Sequence, residues 1–119
     1  MVKLRAGRTV RRDGKTVTLL IEPARVGPKT MGLGVACYAE GASGMPHSHA
    51  NCEQVLYVQS GLGLFVAAGD EVMVSSGFAA FIPPGVQHQI SNAGRGELRF
   101  IFAYYPLGAG PDSEYPAEL

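Results

Sequence analysis

Glycine and proline interrupt this chain in nearly every block of ten residues, so no stretch offers the three uninterrupted turns that a stable helix needs. Between the interruptions, apolar residues come in short runs or alternate with polar ones, which is the period of a strand. The segments 16–21, 31–38, 45–49, 54–59, 62–67, 71–74, 79–82, 87–91 and 98–105 are the strands this pattern predicts. Asp13-Gly14, 41–44, Ser60-Gly61, Gly69-Asp70, Ser76-Gly77, Pro83-Pro84-Gly85 and 92–96 supply the positive-φ or proline-fixed positions that tight connections require. Many short strands at this spacing predict an all-β fold, a sandwich, jelly roll or barrel, without long helices.

With 119 residues the chain is sized for one domain, and 46% hydrophobic residues are enough to give it a core. Residues 106–119 are rich in Pro, Gly and acidic side chains and lack periodicity, so the domain is expected over 1–105, N-terminal strands included, with 106–119 a surface tail. Ten basic side chains balance ten acidic ones, which leaves no global field to favour nucleic acid or an anionic membrane. Arg5, Arg8, Arg11 and Arg12 cluster near the start, but Asp13-Gly14 marks a hairpin turn there rather than a nucleic-acid arm. No apolar run approaches the roughly twenty residues that span a bilayer, and the N-terminus lacks the apolar stretch of a signal peptide, so a cytoplasmic location is expected. Cys37 and Cys52 read as small buried apolar side chains, not as a disulfide, although Cys52 lies close to His49 in sequence.

The chain has three histidines, and His47 and His49 are separated by one residue. On a strand, residues two apart project from the same face, so both imidazoles can enter one interior; a helix would turn them roughly 200° apart. Without further signals, an exposed pair on a loop is an equally ordinary reading.

The surrounding residues supply those signals. The first motif runs Gly41-x5-His47-x-His49-x4-Gln54-x6-Gly61 and the second Gly77-x5-Pro83-x-Gly85-x2-His88-x3-Asn92. Together they resemble the two motifs of the cupin superfamily, with Gln where the first motif usually has Glu. The resemblance implies a jelly-roll barrel in which His47, His49 and His88 converge on one divalent transition metal, of which Zn, Fe, Mn, Ni and Cu all suit imidazole. It also implies backbone roles for Gly41, Gly61 and Gly77, a turn at Pro83-Pro84-Gly85 that aims His88, and a strand-ending turn at Asn92.

The fourth position falls between Glu53 and Gln54. If Gln54, Leu56 and Val58 face inward, Glu53 faces out and reaches a metal only through a bulge or a register slip. Gln54 is therefore expected as the fourth ligand, or as a hydrogen-bonding partner of a metal-bound water. Some cupins that open unsaturated uronate sugars are similar in placing Gln there. Three imidazoles and an amide leave the charge of the ion uncompensated, which favours Lewis-acid chemistry on carbonyls and enols, of the isomerase, cyclase or lyase type. Iron-dependent dioxygenase chemistry and non-catalytic binding of a small molecule or sugar are the alternatives.

Because the histidines are committed, proton transfer falls to Glu53, Tyr38 or Tyr104, with Glu40, Tyr105 and Cys37 as further candidates. Phe65, Phe81, Phe100 and Phe102 are expected as apolar walls, and Arg95 and Arg99 as residues of a solvated strand edge. The expected partners are a small organic substrate and a second copy of the chain, not nucleic acid or a membrane. A bare edge at 16–21 motivates the homodimer, which the resemblance also implies.

Overall fold

The computed structural model describes residues 7–22, 31–49 and 52–105. Among these described residues are nine strands: β1 (Arg8–Arg12), β2 (Lys15–Ile21), β3 (Gly32–Tyr38), β4 (Glu53–Ser60), β5 (Gly63–Ala67), β6 (Asp70–Val74), β7 (Ala79–Ile82), β8 (His88–Asn92) and β9 (Leu98–Tyr105). Every pairing is antiparallel, in a six-stranded sheet ordered β1-β2-β3-β9-β4-β7 and a three-stranded sheet ordered β6-β5-β8. The two sheets make the jelly-roll barrel expected from the sequence. Among the described residues no helix is long and apolar enough to cross a membrane.

Alternation decides which side chains fill the interior. Buried and open positions alternate along β3, β4 and β9, so that Ala36, Leu56, Val58, Phe100 and Phe102 face the second sheet. From that sheet Phe65, Val74 and Ile90 close the core. Each of the Val, Leu, Ile and Phe side chains among them contributes about 1.5–3 kcal/mol when removed from water. The aromatic residues of β9 pass over unusually small partners: Gly32 lies opposite Tyr104, and Gly34 opposite Phe102. A Cβ at either glycine would come within 2.1 Å of the Tyr104 ring or 2.4 Å of the Phe102 ring, so the missing side chains leave room for the two rings.

Five expectations need correction. β1 was not among the predicted strands; the Asp13-Gly14 turn, with φ of 50° and 78°, folds Arg8–Arg12 back on β2. As a result β2 is paired on both sides as far as Leu19, and most of the edge expected to be bare at 16–21 is covered within the chain. The segment 45–49 is not a strand: Pro46 has no N–H to give a ladder, and only His47 forms a bridge, to His88. Phe81 is 59% exposed and therefore not an interior wall, because it occupies the outer parity of β7. The turn before β6 also sits one residue early, at Ala68-Gly69, with φ of 51° and 86°. The segment 106–119 and Arg5 lie outside the described residues.

Candidate metal centre

The bridge between His47 and His88 organises the site. The His47 amide donates to the His88 carbonyl at 3.0 Å and the His88 amide to the His47 carbonyl at 2.8 Å, which brings the two ring centroids within 4.3 Å. The Gly85 amide donates to the His49 carbonyl at 2.9 Å, so the Pro83-Pro84-Gly85 turn is tied to the strand-like segment carrying the other two histidines. His49 completes the cluster at 4.9 Å from the His47 ring and 5.7 Å from that of His88.

Local carbonyls set the tautomers. His47 Nδ1 lies 2.8 Å from the Met45 carbonyl and His88 Nδ1 lies 2.9 Å from the Val86 carbonyl. A carbonyl only accepts, so each Nδ1 carries the proton and each Nε2 keeps its lone pair. One nitrogen from each of the three rings lies within 4.8 Å of the others, near the span of at most about 4.2 Å open to two nitrogens bound to one ion at about 2.1 Å. Burial, reinforced by the charges of His47 and His88, lowers the His49 pKa to about 4; burial also lowers that of His88. Both imidazoles are thus held neutral, the form that binds metal.

Gln54 lies on the inner face of β4 and lines the same pocket as His47 and His88. Its neighbour Glu53 is exposed on the outer face. The Oε1 of Gln54 and the Nε2 of His88 are buried acceptors that no hydrogen bond satisfies among the described residues. Left so, each would cost about 1–3 kcal/mol, and a divalent cation is a partner both can use. The donor set therefore fits a metal, and no carboxylate stands among the described residues lining the pocket.

Of the expected proton-transfer candidates, Tyr38 lines the pocket and packs edge-on against Phe100 at 5.2 Å. Tyr104 is buried beside Gln54 in the β4–β9 register, whereas Glu40 and Tyr105, like Glu53, are exposed. Cys37 contacts Arg99 on the outside of the sheet, and burial raises its pKa. Cys52 is buried and donates to the Glu53 carbonyl at 3.3 Å; both cysteines are free thiols. Asn92 ends β8, its Nδ2 donating to the carbonyls of Tyr38 and Gly96 and its Oδ1 accepting from the Gly94 amide. Arg99 is held by Gln59 at 2.8 Å on the exposed side. Ile90, which sequence reasoning left unassigned, also lines the pocket, and the parity that groups His47 with His49 places it on the face of His88. Phe65, Phe100, Phe102, Leu56 and Ile90 make the walls apolar around a cavity of about 30 Å³.

A family profile described as "Cupin domain" matches residues 34–104. The tetracenomycin polyketide synthase protein TcmJ of Streptomyces glaucescens is 31% identical over 101 residues, which cover 85% of this chain and 68% of that protein. Protein SchB of Streptomyces halstedii is 33% identical over 104 residues, covering 86% of this chain and 74% of the relative. Among solved structures, KdgF from Halomonas sp. superposes with a TM-score of 0.73 at 20% identity, over 85% of this chain and 87% of the other.

Proposed function

This chain belongs to the cupin domain family, and on that premise we propose that it is a metal-dependent cupin enzyme in which His47, His49, His88 and the Gln54 side-chain oxygen hold one divalent transition metal. The observation that carries this reading is the convergence of the three imidazoles beside a buried amide oxygen that receives no hydrogen bond among the described residues. Bound there, the ion would supply Lewis acidity to polarise a carbonyl oxygen, undiminished by any carboxylate ligand.

The chain's own residues do the rest. The carbonyls of Met45 and Val86 hold two rings with Nε2 toward the site. The phenylalanine walls exclude water and strengthen the local field. Tyr38 is the tyrosine among the described residues lining the pocket and is the proton-transfer group of the proposal. The apolar cavity suits the reacting end of a small organic compound, and the Lewis acidity of the proposal suits one presenting an enolisable carbonyl. The name of the Streptomyces glaucescens relative, a polyketide synthase protein, supports a polyketide-type substrate, rich in such carbonyls; the carboxylate-free ligand set of the proposal favours a reaction of the isomerase, cyclase or lyase type. The two free thiols suit the reducing cytoplasm.

The test is turnover of a β-diketone by the metal-loaded chain, followed with and without oxygen. Equal, chelator-sensitive turnover in both atmospheres is expected. Turnover that survives metal removal contradicts the proposal, and iron-dependent oxygen uptake replaces Lewis-acid chemistry with dioxygenase chemistry. Binding without turnover makes the protein a binding module.

A further inference from the structure

The segment that carries His47 is not held by a regular ladder. Its two bridges to β8, Ser43 to Ser91 and His47 to His88, lie four steps of chain apart on one side and three on the other, so the segment bulges by one residue between them. Pro46 falls inside the bulge and has no N–H to give. Met45 is 74% exposed, so apolar packing does little to fix it. Yet the aim of a histidine is set here, because the Met45 carbonyl lies 2.8 Å from His47 Nδ1 and accepts its proton. Side chains replace the missing ladder bonds. Gln89, on the outer parity of β8 between the buried His88 and Ile90, donates through Nε2 to the Gly44 carbonyl at 2.7 Å and to Ser43 Oγ at 3.1 Å. A carbonyl only accepts, so the nitrogen and not the oxygen of this amide must face Gly44. The Ser43 and Ser91 hydroxyls meet at 2.7 Å, and from β2 the Lys15 ammonium donates to the Ser43 carbonyl at 2.9 Å.

We propose that Gln89 is a positioning residue of the metal centre: by strapping the bulge to β8 it fixes the Met45 carbonyl, and through it the direction of the His47 lone pair. The Gln89 amide acts through backbone and contributes no ligand. It secures the Ser43–Gly44 end of the bulge, while the His47–His88 amide pair secures the other end, so Met45 is held between two fastened points. Without the strap the Met45 carbonyl can swing toward water, and nothing then keeps the proton of the His47 ring on Nδ1 and the lone pair on Nε2. The consequence for metal binding rests on the reading proposed above, whereas the strap is a property of the metal-free chain.

Gln89→Met keeps the length of the side chain and removes both donated bonds. In the metal-free full chain, amide exchange followed by NMR should show the Gly44 and His47 amides, which donate to the Ile90 and His88 carbonyls, exchanging about tenfold faster than in the wild type. The Val58 amide, bound to the Phe78 carbonyl in the other sheet, should be unchanged. The ring-nitrogen chemical shifts of His47 should pass from a single Nδ1–H tautomer to a mixture, a signature that lost stability alone does not produce. Cobalt titration should then show uptake weakened about tenfold. Lys15→Met, on another strand, loosens the same bulge and should speed the same two amides, and it decides if Gln89→Met does not fold. Unchanged exchange with an unchanged His47 tautomer overturns the proposal, and so does an acceleration that reaches Val58 equally, the mark of general destabilisation. The exchange and tautomer measurements need no metal. A wild type that takes up no cobalt therefore overturns the metal reading alone, and these two measurements still decide the role of Gln89.

Discussion

Gln54 and Glu53 are neighbours in sequence and face opposite sides of β4, a consequence of the two-residue period of a strand. Isothermal titration should therefore show metal affinity falling about 10–100-fold in Gln54→Ala and unchanged in Glu53→Ala. Loss only in Glu53→Ala would mean that the register is wrong. The imidazoles make a second prediction for the metal-free protein. His49 is held neutral in the folded chain down to about pH 4, while the unfolded chain protonates it near 6.5. Between those values the unfolded state binds more protons, so stability is complete above pH 6.5 and declines as pH falls toward 4, by on the order of 1–3 kcal/mol. The lowered pKa of His88 acts in the same direction. Urea unfolding across that range checks it, and removing the buried imidazole in His49→Ala should flatten the slope.

At the scale of elements, β3 and β9 fit because two glycines leave room for two rings. Gly34→Ala should cost about 1–3 kcal/mol by forcing the Phe102 ring aside, measured as a lower unfolding midpoint. At the β5–β6 turn, Ala68 holds a positive φ that suits Asn or Gly, so Ala68→Asn should stabilise by about 0.5–1 kcal/mol. Most strands were legible in the sequence because alternation and turn chemistry are local. β1 was hidden because its arginines mask an alternation in which Val10 alone is buried. The segment 45–49 looked like a strand, yet its partner is the single residue His88, and pairing is not written in local pattern. Phe81 was misplaced for a related reason: a strand's parity is readable, but which of its faces the second sheet covers depends on contacts distant in sequence. The histidine cluster itself was legible from two motifs, whereas the tautomers and the close approach of His47 to His88 come from backbone bonds between segments some forty residues apart.

The whole molecule couples these scales. Both motif segments meet in the site, so an ion held by His47, His49 and His88 joins parts of the chain that lie apart in sequence and in the unfolded state. A ligand that binds only the folded chain stabilises it by mass action, about 2.7 kcal/mol at a hundredfold excess over its Kd. Thermal unfolding should rise with added divalent metal and return to the metal-free value with chelator. The most direct measurement is the metal content of purified, chelator-stripped and reconstituted protein, compared with His47→Ala treated identically. One tightly held divalent ion per chain, lost in the variant while its fold persists, is the predicted result. No ion after reconstitution, or an equal amount in His47→Ala, would contradict the three-histidine site.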